Sequence, residues 1–175
     1  MPFGTAIILE SSADGRIREI WREFEATHVG RTPGSFGEPP HVTFAGELEA
    51  SQQELESVVL ATPFEEMDLT LVPYGVFGGA TQTLYLRAQP SEGLLRAHRA
   101  HYQLLGEQHI RHSLLYDPQN VVFHCTIAVE IPEGTMGEAI ALLAPYKGPI
   151  ATRATEFQLW SYFPVRLLHR RTLRS

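Results

Sequence analysis

The sequence predicts an α+β fold built on antiparallel β-sheet. Segments of strand character alternate with segments of helical periodicity along the 175-residue chain. Residues 67–77 and 82–87 both have strand character and are separated by Gly78-Gly79, which is typical of a β-hairpin. The other connections are short, whereas neighbouring parallel strands need long crossovers. No linker, low-complexity tract or longer repeat interrupts the sequence, so we expect a single domain over residues 1–175.

The N-terminal part of the chain contains two predicted strands around one helix. Residues 5–9 form a short apolar run rich in branched side chains, which is typical of a buried strand. Asp14-Gly15 is predicted to separate this strand from a helix at 16–27, where apolar residues recur at helical spacing. Three Gly and three Pro between residues 29 and 40 predict an irregular loop, and residues 41–45 follow as a second strand.

The middle of the chain contains two predicted helices that flank the hairpin. Ser51 is the expected N-cap of a helix at 52–60, because Glu54 three residues later completes the pattern of a capping box. After the hairpin, Ser91 is expected to cap a long helix at 92–108. Apolar residues recur along one face of this second helix, which indicates that the face is buried.

The C-terminal part of the chain contains two further predicted strands around a helix. Residues 121–131 give the strongest strand signal and are followed by Pro132. A helix is predicted at 136–143, and residues 152–168 again have strand character. The end of the chain also carries a basic cluster, which is interpreted either as a guide for an RNA phosphate or as a solvated tail. Its members are Arg166, His169, Arg170, Arg171 and Arg174.

Composition and charge limit the classes of function. The chain carries 14 Lys and Arg against 20 Asp and Glu, a formal net charge of −6 at neutral pH. This charge disfavours generic binding to a nucleic-acid backbone, but it allows a small site for one nucleotide or one RNA end. Cys125 is the only cysteine, so an intrachain disulfide and a cysteine-based zinc finger are excluded. With no signal-peptide pattern and no long apolar run, we expect a cytoplasmic protein without membrane association or a required protein partner.

A His-x-Thr motif flanked by apolar residues occurs once in each half of the chain, at residues 41–44 and 124–127. Both copies lie in predicted strands, in which residues i and i+2 point to the same face. The His and Thr of each copy therefore share one face, while the apolar residues point to the core. A single copy is also consistent with a β-forming Thr beside a core histidine, but two copies on strands are expected by chance in under ~1% of such chains.

Two histidines and two threonines suit phosphoryl chemistry. Since the pKa of imidazole lies close to neutral, one histidine can take a proton from an attacking water or hydroxyl while another donates one to the departing oxygen. Threonine hydroxyls can donate hydrogen bonds to the non-bridging phosphate oxygens, where charge builds up in the transition state. This chemistry requires neither a metal nor a cofactor, and the sequence has no Gly-Lys-Ser/Thr phosphate-binding loop.

At these residues the sequence resembles the 2H phosphoesterases, which include the LigT-type 2′,5′-RNA ligases and the 2′,3′-cyclic nucleotide phosphodiesterases. The resemblance lies in the two motifs, in their separation of 83 residues (124 − 41), in Pro40 before the first motif, and in the interleaved strands and helices. It implies two pseudo-symmetric lobes, each an antiparallel sheet backed by helices, around a central cleft. It also implies that His41 and His124 are the catalytic acid–base pair and that Thr43 and Thr126 bind the phosphate.

Further aromatic and basic residues are weaker candidates for substrate contacts. Tyr85, Tyr162 and Phe163 lie in predicted strands and could stack on a base, although core packing is the commoner role of such residues. Arg87 alternates with Tyr85 on one strand face and is an additional candidate for a phosphate contact.

Other histidines and the cysteine suggest alternatives. His98 and His101 are three residues apart on a predicted helix, as are His109 and His112 further on, which is a spacing that a metal site could use. Interleaved arginines favour a solvent-exposed helix instead. Cys125 is adjacent to a motif histidine, but its position in the strand points the thiol to the core, which favours a buried, inert side chain.

The sequence therefore predicts a metal-independent phosphoesterase that needs no cofactor. We expect it to open a 2′,3′-cyclic phosphate, or a related cyclic or 2′,5′-linked phosphodiester, on a nucleotide or an RNA end. By microscopic reversibility the same site could ligate RNA ends. A non-catalytic binder of a phosphorylated ligand is the alternative from another class, but the presence of both motif histidines favours the enzyme.

Overall fold

Residues 2–146 and 148–174, which the computed structural model describes, form seven strands and four α-helices. The strands are β1 Phe3–Leu9, β2 His41–Leu48, β3 Met67–Phe77, β4 Gln82–Ala88, β5 His124–Ile131, β6 Ile150–Ser161 and β7 Arg166–Thr172. The α-helices are α1 Ser11–Thr27, α2 Gln52–Ala61, α3 Glu92–Glu107 and α4 Met136–Leu143. None of the helices in these described ranges is long and apolar enough to cross a membrane.

The strands form one antiparallel sheet in the order β2-β1-β6-β3-β4-β5, with β7 paired to β6. The predicted α+β class is thereby confirmed. The long strand β6 joins the two halves of the sheet, because residues 150–154 pair with β3 while residues 156–161 pair with β7. On its other edge β6 pairs with β1. The sheets of the two halves are therefore continuous through a shared strand.

The two strands at the ends of this order, β2 and β5, lie next to each other. The Cys125 thiol of β5 lies near the backbone of His41 in β2. The indole of Trp21 in α1 donates to the carbonyl of Thr126 at 3.3 Å, which ties β5 to the helix that follows β1. The sheet is therefore curved so that its end strands, which carry the two His-x-Thr motifs, meet.

Two helix boundaries illustrate the local chemistry. The predicted capping box of α2 is confirmed, since the Ser51 hydroxyl accepts from the backbone of Glu54 while the Glu54 carboxylate accepts from the backbone of Ser51. Helix α1 begins at Ser11 rather than at residue 16, so Asp14-Gly15 does not interrupt it. Asp14 instead pairs with Arg18 one turn later at 2.7 Å, and Gly15 lies on the exposed side of the helix.

The prediction that His98 and His101 face solvent is wrong, because both are 1% exposed. The apolar face of α3 includes them, and the interleaved arginines occupy the other side of the helix. His98 hydrogen-bonds the Phe44 carbonyl at 3.1 Å. The ring of Phe44 lies in an aromatic cluster with Phe64 and Phe157, directly behind the first motif.

His101 bridges two buried threonine hydroxyls. Its Nδ1 lies 2.8 Å from the Thr62 hydroxyl, and its Nε2 lies 2.9 Å from the Thr5 hydroxyl. Since Thr62 donates its single hydroxyl proton to the carbonyl of Val58, His101 Nδ1–H is the donor to Thr62 and Nε2 accepts from Thr5. Burial, together with His98 and His112, lowers the pKa of His101 to about 3. The ring is therefore neutral and joins α3 to β1 and to the end of α2.

The C-terminal segment differs from the prediction, because residues 152–168 do not form one strand. Strand β6 ends at Ser161, and the chain reverses direction before β7. The basic cluster is divided between the two faces of β7, since Arg170 is opposite Gln158 and Arg171 is opposite the core residue Phe157. Arg170 pairs with Glu156 at 3.2 Å.

The guanidinium of Arg171 hydrogen-bonds backbone carbonyls at the C-terminal end of α2. It donates to the carbonyl of Val59 at 2.9 Å and to that of Phe64 at 3.2 Å. It also donates to the carbonyls of Leu60 and Thr62. A cation at the C-terminus of a helix complements the helix dipole as well as the unpaired carbonyls.

Arg171→Met is therefore expected to lower the free energy of unfolding by about 2 kcal/mol, since hydrogen bonds from a charged group are among the stronger ones. Urea denaturation of the two proteins measures the difference. Arg166→Met is the matched control on the same strand, and its exposed side chain predicts a change within about 0.5 kcal/mol. Equal stability of Arg171→Met and the parent would show that the guanidinium does not stabilise this helix end.

Candidate active site

The two His-x-Thr motifs face one cleft of about 420 Å³ between β2 and β5. All four predicted motif residues line it, namely His41, Thr43, His124 and Thr126. The alternation of side chains along each strand explains this placement. Val42, Phe44, Cys125 and Ile127, the apolar residues of the two motifs, are 0% exposed on the opposite side. Each polar pair is thus fixed on a strand whose other face is packed core.

The two histidines are oriented by the same local hydrogen bond. Nδ1 of His41 lies 2.8 Å from the carbonyl of Pro39, and Nδ1 of His124 lies 2.6 Å from the carbonyl of Val122. A carbonyl can only accept, so Nδ1 carries the proton in each ring. In the neutral imidazole Nε2 then has a free lone pair, and in the imidazolium it has a proton to donate. Both rings therefore offer Nε2 for acid–base chemistry.

The two histidines have different electrostatic surroundings. Burial lowers the pKa of His124, and the nearby His41 acts in the same direction, while the hydrogen bond to Val122 opposes them. His41 instead has a carboxylate neighbour, because Glu38 Oε2 lies 3.8 Å from its Nε2. When His41 is protonated, these two groups form an ion pair. The cleft thus favours a neutral His124, and it places a carboxyl group beside His41.

Glu38 and Tyr116 are cleft residues that the sequence did not reveal. The Glu38 side chain is only 19% exposed, and burial raises the pKa of its carboxyl, partly offset by His41. The Tyr116 hydroxyl lies near Thr43, and its ring packs over Gly46, where a Cβ would come within 3.0 Å of a ring carbon. Glu38 lies in a loop and Tyr116 ends the short 3₁₀ helix Leu114–Tyr116, so no periodicity or spacing indicated that they converge on the motifs.

The weaker aromatic candidates occupy different places. Tyr162 and Phe163 line the cleft, although they lie in the turn after β6 rather than in a strand. Tyr85 is 4% exposed, stacks on Phe77 with a centroid distance of 4.2 Å, and lies 5.0 Å from the ring of His124. It therefore packs beside the histidine, and its buried ring is not free to stack on a base.

Arg87 lies directly opposite His124 in the β4–β5 pair, and its side chain is exposed. Cross-strand partners share a face of the sheet, so Arg87 is on the histidine side. It is not part of the cleft lining. A role in binding phosphate stays a prediction.

Burial and hydrogen bonding show how Cys125, His98 and His101 are used in the fold. Cys125 is fully buried, as predicted, and burial raises the pKa of its thiol to about 12. His98 and His101 use their ring nitrogens for hydrogen bonds within the core. Within residues 2–146 and 148–174, no group of three or more His, Cys, Asp or Glu side chains is arranged to hold a metal ion.

Comparisons with solved structures identify proteins of the same fold. LigT of E. coli, in its complex with 3′-AMP, is 21% identical, has a TM-score of 0.68, and the match covers 100% of both chains. The protein TT0787 of Thermus thermophilus is 16% identical with a TM-score of 0.68, over 100% of this chain and 99% of that one. Usb1 of Kluyveromyces marxianus is 15% identical with a TM-score of 0.51, over 95% and 96% of the two chains.

The sequence comparisons give one family. No curated protein sequence matches the chain significantly. The family model of the 2′-5′ RNA ligase superfamily matches residues 9–163, a range that contains both His-x-Thr motifs and most of the chain. The resemblance that the motifs suggested is thereby confirmed. The chain belongs to the 2′-5′ RNA ligase superfamily, whose members are enzymes of the 2H phosphoesterase type.

Proposed function

We propose that the protein is a metal-independent phosphoesterase that opens a 2′,3′-cyclic phosphate on a nucleotide or an RNA end. One observation carries the proposal: the two motif histidines each donate Nδ1–H to a backbone carbonyl and so offer Nε2 to a shared cleft. Thr43 and Thr126, which line the same cleft, supply hydroxyl donors for the non-bridging oxygens. The E. coli LigT structure with 3′-AMP supports a nucleotide as the ligand class.

The reaction needs one neutral and one protonated imidazole. The neutral ring takes a proton from water as the water oxygen forms a bond to phosphorus. The bond from phosphorus to one ribose oxygen breaks, and the protonated ring gives its proton to that oxygen. The threonine hydroxyls stabilise the negative charge that increases on the non-bridging oxygens. The product is a phosphomonoester on the ribose, and the two histidines have exchanged protonation states.

The test is turnover of the four nucleoside 2′,3′-cyclic monophosphates in excess EDTA. We expect hydrolysis that persists in the chelator, with chromatography showing which ribose oxygen keeps the phosphate. His41→Ala should abolish most of it. Activity that disappears in EDTA and returns with a divalent cation would contradict the metal-independent mechanism. Tight binding of these nucleotides without any turnover would favour a non-catalytic binder.

The pH dependence of kcat/KM provides a second readout. A base and an acid acting together produce a bell-shaped profile, with the low-pH limb set by protonation of the base. If His124 is the base, its lowered pKa places this limb below the usual histidine value of 6.5. The sign follows because a lower pKa keeps the ring neutral down to lower pH. A profile that is flat from about pH 5 to 9 would contradict chemistry limited by two titrating histidines.

The family match favours one further activity, the joining of RNA ends. Microscopic reversibility allows the same two histidines to catalyse attack of a 5′-hydroxyl on a 2′,3′-cyclic phosphate. Incubation of RNA fragments with these ends, followed by gel analysis, distinguishes joined product from simple ring opening.

A further inference from the structure

The charged residues that line the cleft between the two motifs are acidic. Two glutamates, Glu38 and Glu47, belong to its lining, and none of the described lining residues is a lysine or an arginine. Among these residues, only His41 and His124 can supply a positive charge. Because the proposed reaction needs one neutral and one protonated imidazole, the two rings together contribute a single positive charge.

One positive charge matches the substrate of the proposed reaction but not its product. A phosphodiester, including a cyclic one, carries one negative charge. A phosphomonoester carries nearly two at pH 7, since its second pKa is about 6. Ring opening converts the first species into the second, so the negative charge of the ligand increases while it is in the cleft. The carboxylates of the lining then influence how strongly the product is held.

Glu38 lies beside the nitrogen that faces the substrate. Its Oε2 is 3.8 Å from Nε2 of His41, and His41 is its only ion-pair partner in the described part of the chain. The opposite ring nitrogen, Nδ1, is bound to the carbonyl of Pro39 and is not available to a ligand. A phosphate oxygen that contacts Nε2 therefore approaches the carboxylate as well and competes with it for the same nitrogen.

The backbone of Glu38 is fixed relative to His41. The 3₁₀ helix Pro33–Phe36 ends at Gly37, whose φ of 87° is left-handed. The N–H of Glu38 then donates to the carbonyl of Pro33 at 3.1 Å. Two prolines, which restrict the backbone, connect Glu38 to the first residue of β2. The carboxylate is thus carried by a short hydrogen-bonded turn that leads directly into the motif.

The second motif provides an internal comparison for Glu38. Both motif histidines donate Nδ1–H to the carbonyl of the residue two positions earlier. Three positions before the histidine, however, the first copy has Glu38 and the second has Val121, which packs against the core. The same ring orientation is therefore obtained with an apolar residue at this position. Orienting the histidine does not require the carboxylate, which instead lies where it meets the ligand.

We propose that Glu38 makes the cleft selective for phosphodiesters over phosphomonoesters and thereby promotes release of the product. This inference rests on the proposed function, because it uses the charge that ring opening adds. Two negative charges a few ångströms apart repel each other in a partly buried site. The imidazolium balances a monoanionic diester, whereas the dianionic product has an excess charge beside Glu38. Glu38 is thus a specificity-determining residue, and neither proton transfer uses it.

Two unreactive ligands test the selectivity without turnover. 2′-Deoxyadenosine 3′-monophosphate is a dianion at pH 8, and its methyl ester is a monoanion. Neither has a 2′-hydroxyl, so neither can form a cyclic phosphate. Isothermal titration calorimetry gives both Kd values for the parent and for Glu38→Gln, which keeps the size and removes the charge. Relative to the methyl ester, the monoester should bind about tenfold more tightly to Glu38→Gln than to the parent, a typical effect of one charge pair.

Glu47→Gln is the matched control, and binding of the methyl ester shows that each variant is folded. Glu47 lines the same cleft, but it is exposed. Water and salt screen an exposed charge, so the ratio of the two Kd values should stay within about twofold of the parent ratio. Equal effects of the two substitutions would overturn the proposal, because the net charge of the cleft and not the position of Glu38 would then set the preference.

Product inhibition separates this inference from the proposed function. During hydrolysis of adenosine 2′,3′-cyclic phosphate, the Ki of the released monophosphate should fall about tenfold in Glu38→Gln, with a smaller change in KM. Hydrolysis with an unchanged Ki and an unchanged Kd ratio in Glu38→Gln would overturn the role of Glu38 alone. The predicted Kd ratios without hydrolysis of any cyclic phosphate would overturn the proposed function, while the preference of the cleft for diesters would stand.

Discussion

His124→Ala and His41→Ala are each expected to reduce kcat on nucleoside 2′,3′-cyclic phosphates by about 10²–10⁴-fold, the usual effect of removing one general acid or base. The reason is that each ring presents one Nε2 to the cleft, and each of the two proton transfers uses one of them. Steady-state kinetics at pH 7 measure the loss. His28→Asn is the control, because His28 is exposed and Asn also tolerates its positive φ of 58°.

A leaving group that needs no protonation distinguishes the two variants. Nitrophenolate is such a group, so hydrolysis of bis(p-nitrophenyl) phosphate depends on the base but little on the acid. Because its lowered pKa favours His124 as the base, His41→Ala should lose much less activity with this substrate than with a cyclic nucleotide. His124→Ala should remain strongly impaired with both. The opposite pattern would identify His41 as the base and His124 as the acid, and unimpaired kcat in both variants would remove the histidines from the mechanism.

Low pH is expected to destabilise the folded protein because it favours protonation of His101, the buried histidine of α3. Unfolded His101 binds a proton with a pKa near 6.5, whereas the folded protein resists protonation until about pH 3. The contribution of this residue to stability is therefore complete above pH 6.5 and is lost progressively as the pH falls toward 3. At pH 5 the loss amounts to about 2 kcal/mol, at 1.36 kcal/mol for each pH unit. Burial also lowers the pKa of His98, which adds in the same direction.

Urea denaturation at pH 7, 6 and 5 measures this dependence. His101→Gln removes the titrating ring, so the free energy of unfolding should fall less steeply between pH 7 and 5 than in the parent protein. His109→Asn is the matched control, since His109 is exposed at the end of the same helix with a positive φ of 55°. Its pH dependence should equal that of the parent. The same slope in His101→Gln and the parent would contradict the buried, neutral ring.

Most elements of the fold could be predicted because their signals are local. The capping box at Ser51 and Glu54, the hairpin at 67–87 and the periodicity of residues 136–143 each depend on neighbours in sequence. The two His-x-Thr motifs were detectable for the same reason, since alternation along a strand determines which side chains share a face. That alternation could not predict that one curved sheet would bring its end strands together.

The predictions that were wrong or missing share a physical cause, which is contact between residues far apart in the sequence. His98 and His101 look like surface residues among arginines, but hydroxyls and a carbonyl from distant elements compensate their burial. Glu38 acquires its position from a loop and Tyr116 from a three-residue 3₁₀ helix, segments too short or irregular to show periodicity. Arg171 was part of an apparent basic tail, and only the packing of β7 beside α2 shows that it binds backbone carbonyls. Each of these contacts joins residues far apart in the chain.

The pairing of β6 with strands from both halves has a consequence for how the enzyme can work. Two lobes joined by a flexible linker can move apart and close on a substrate. In this protein, separating the two halves would break the main-chain hydrogen bonds of β6. The shared strand therefore fixes the distance between the two histidines. Changes in the loops at the rim of the cleft would then alter access to it without altering the distance between the histidines.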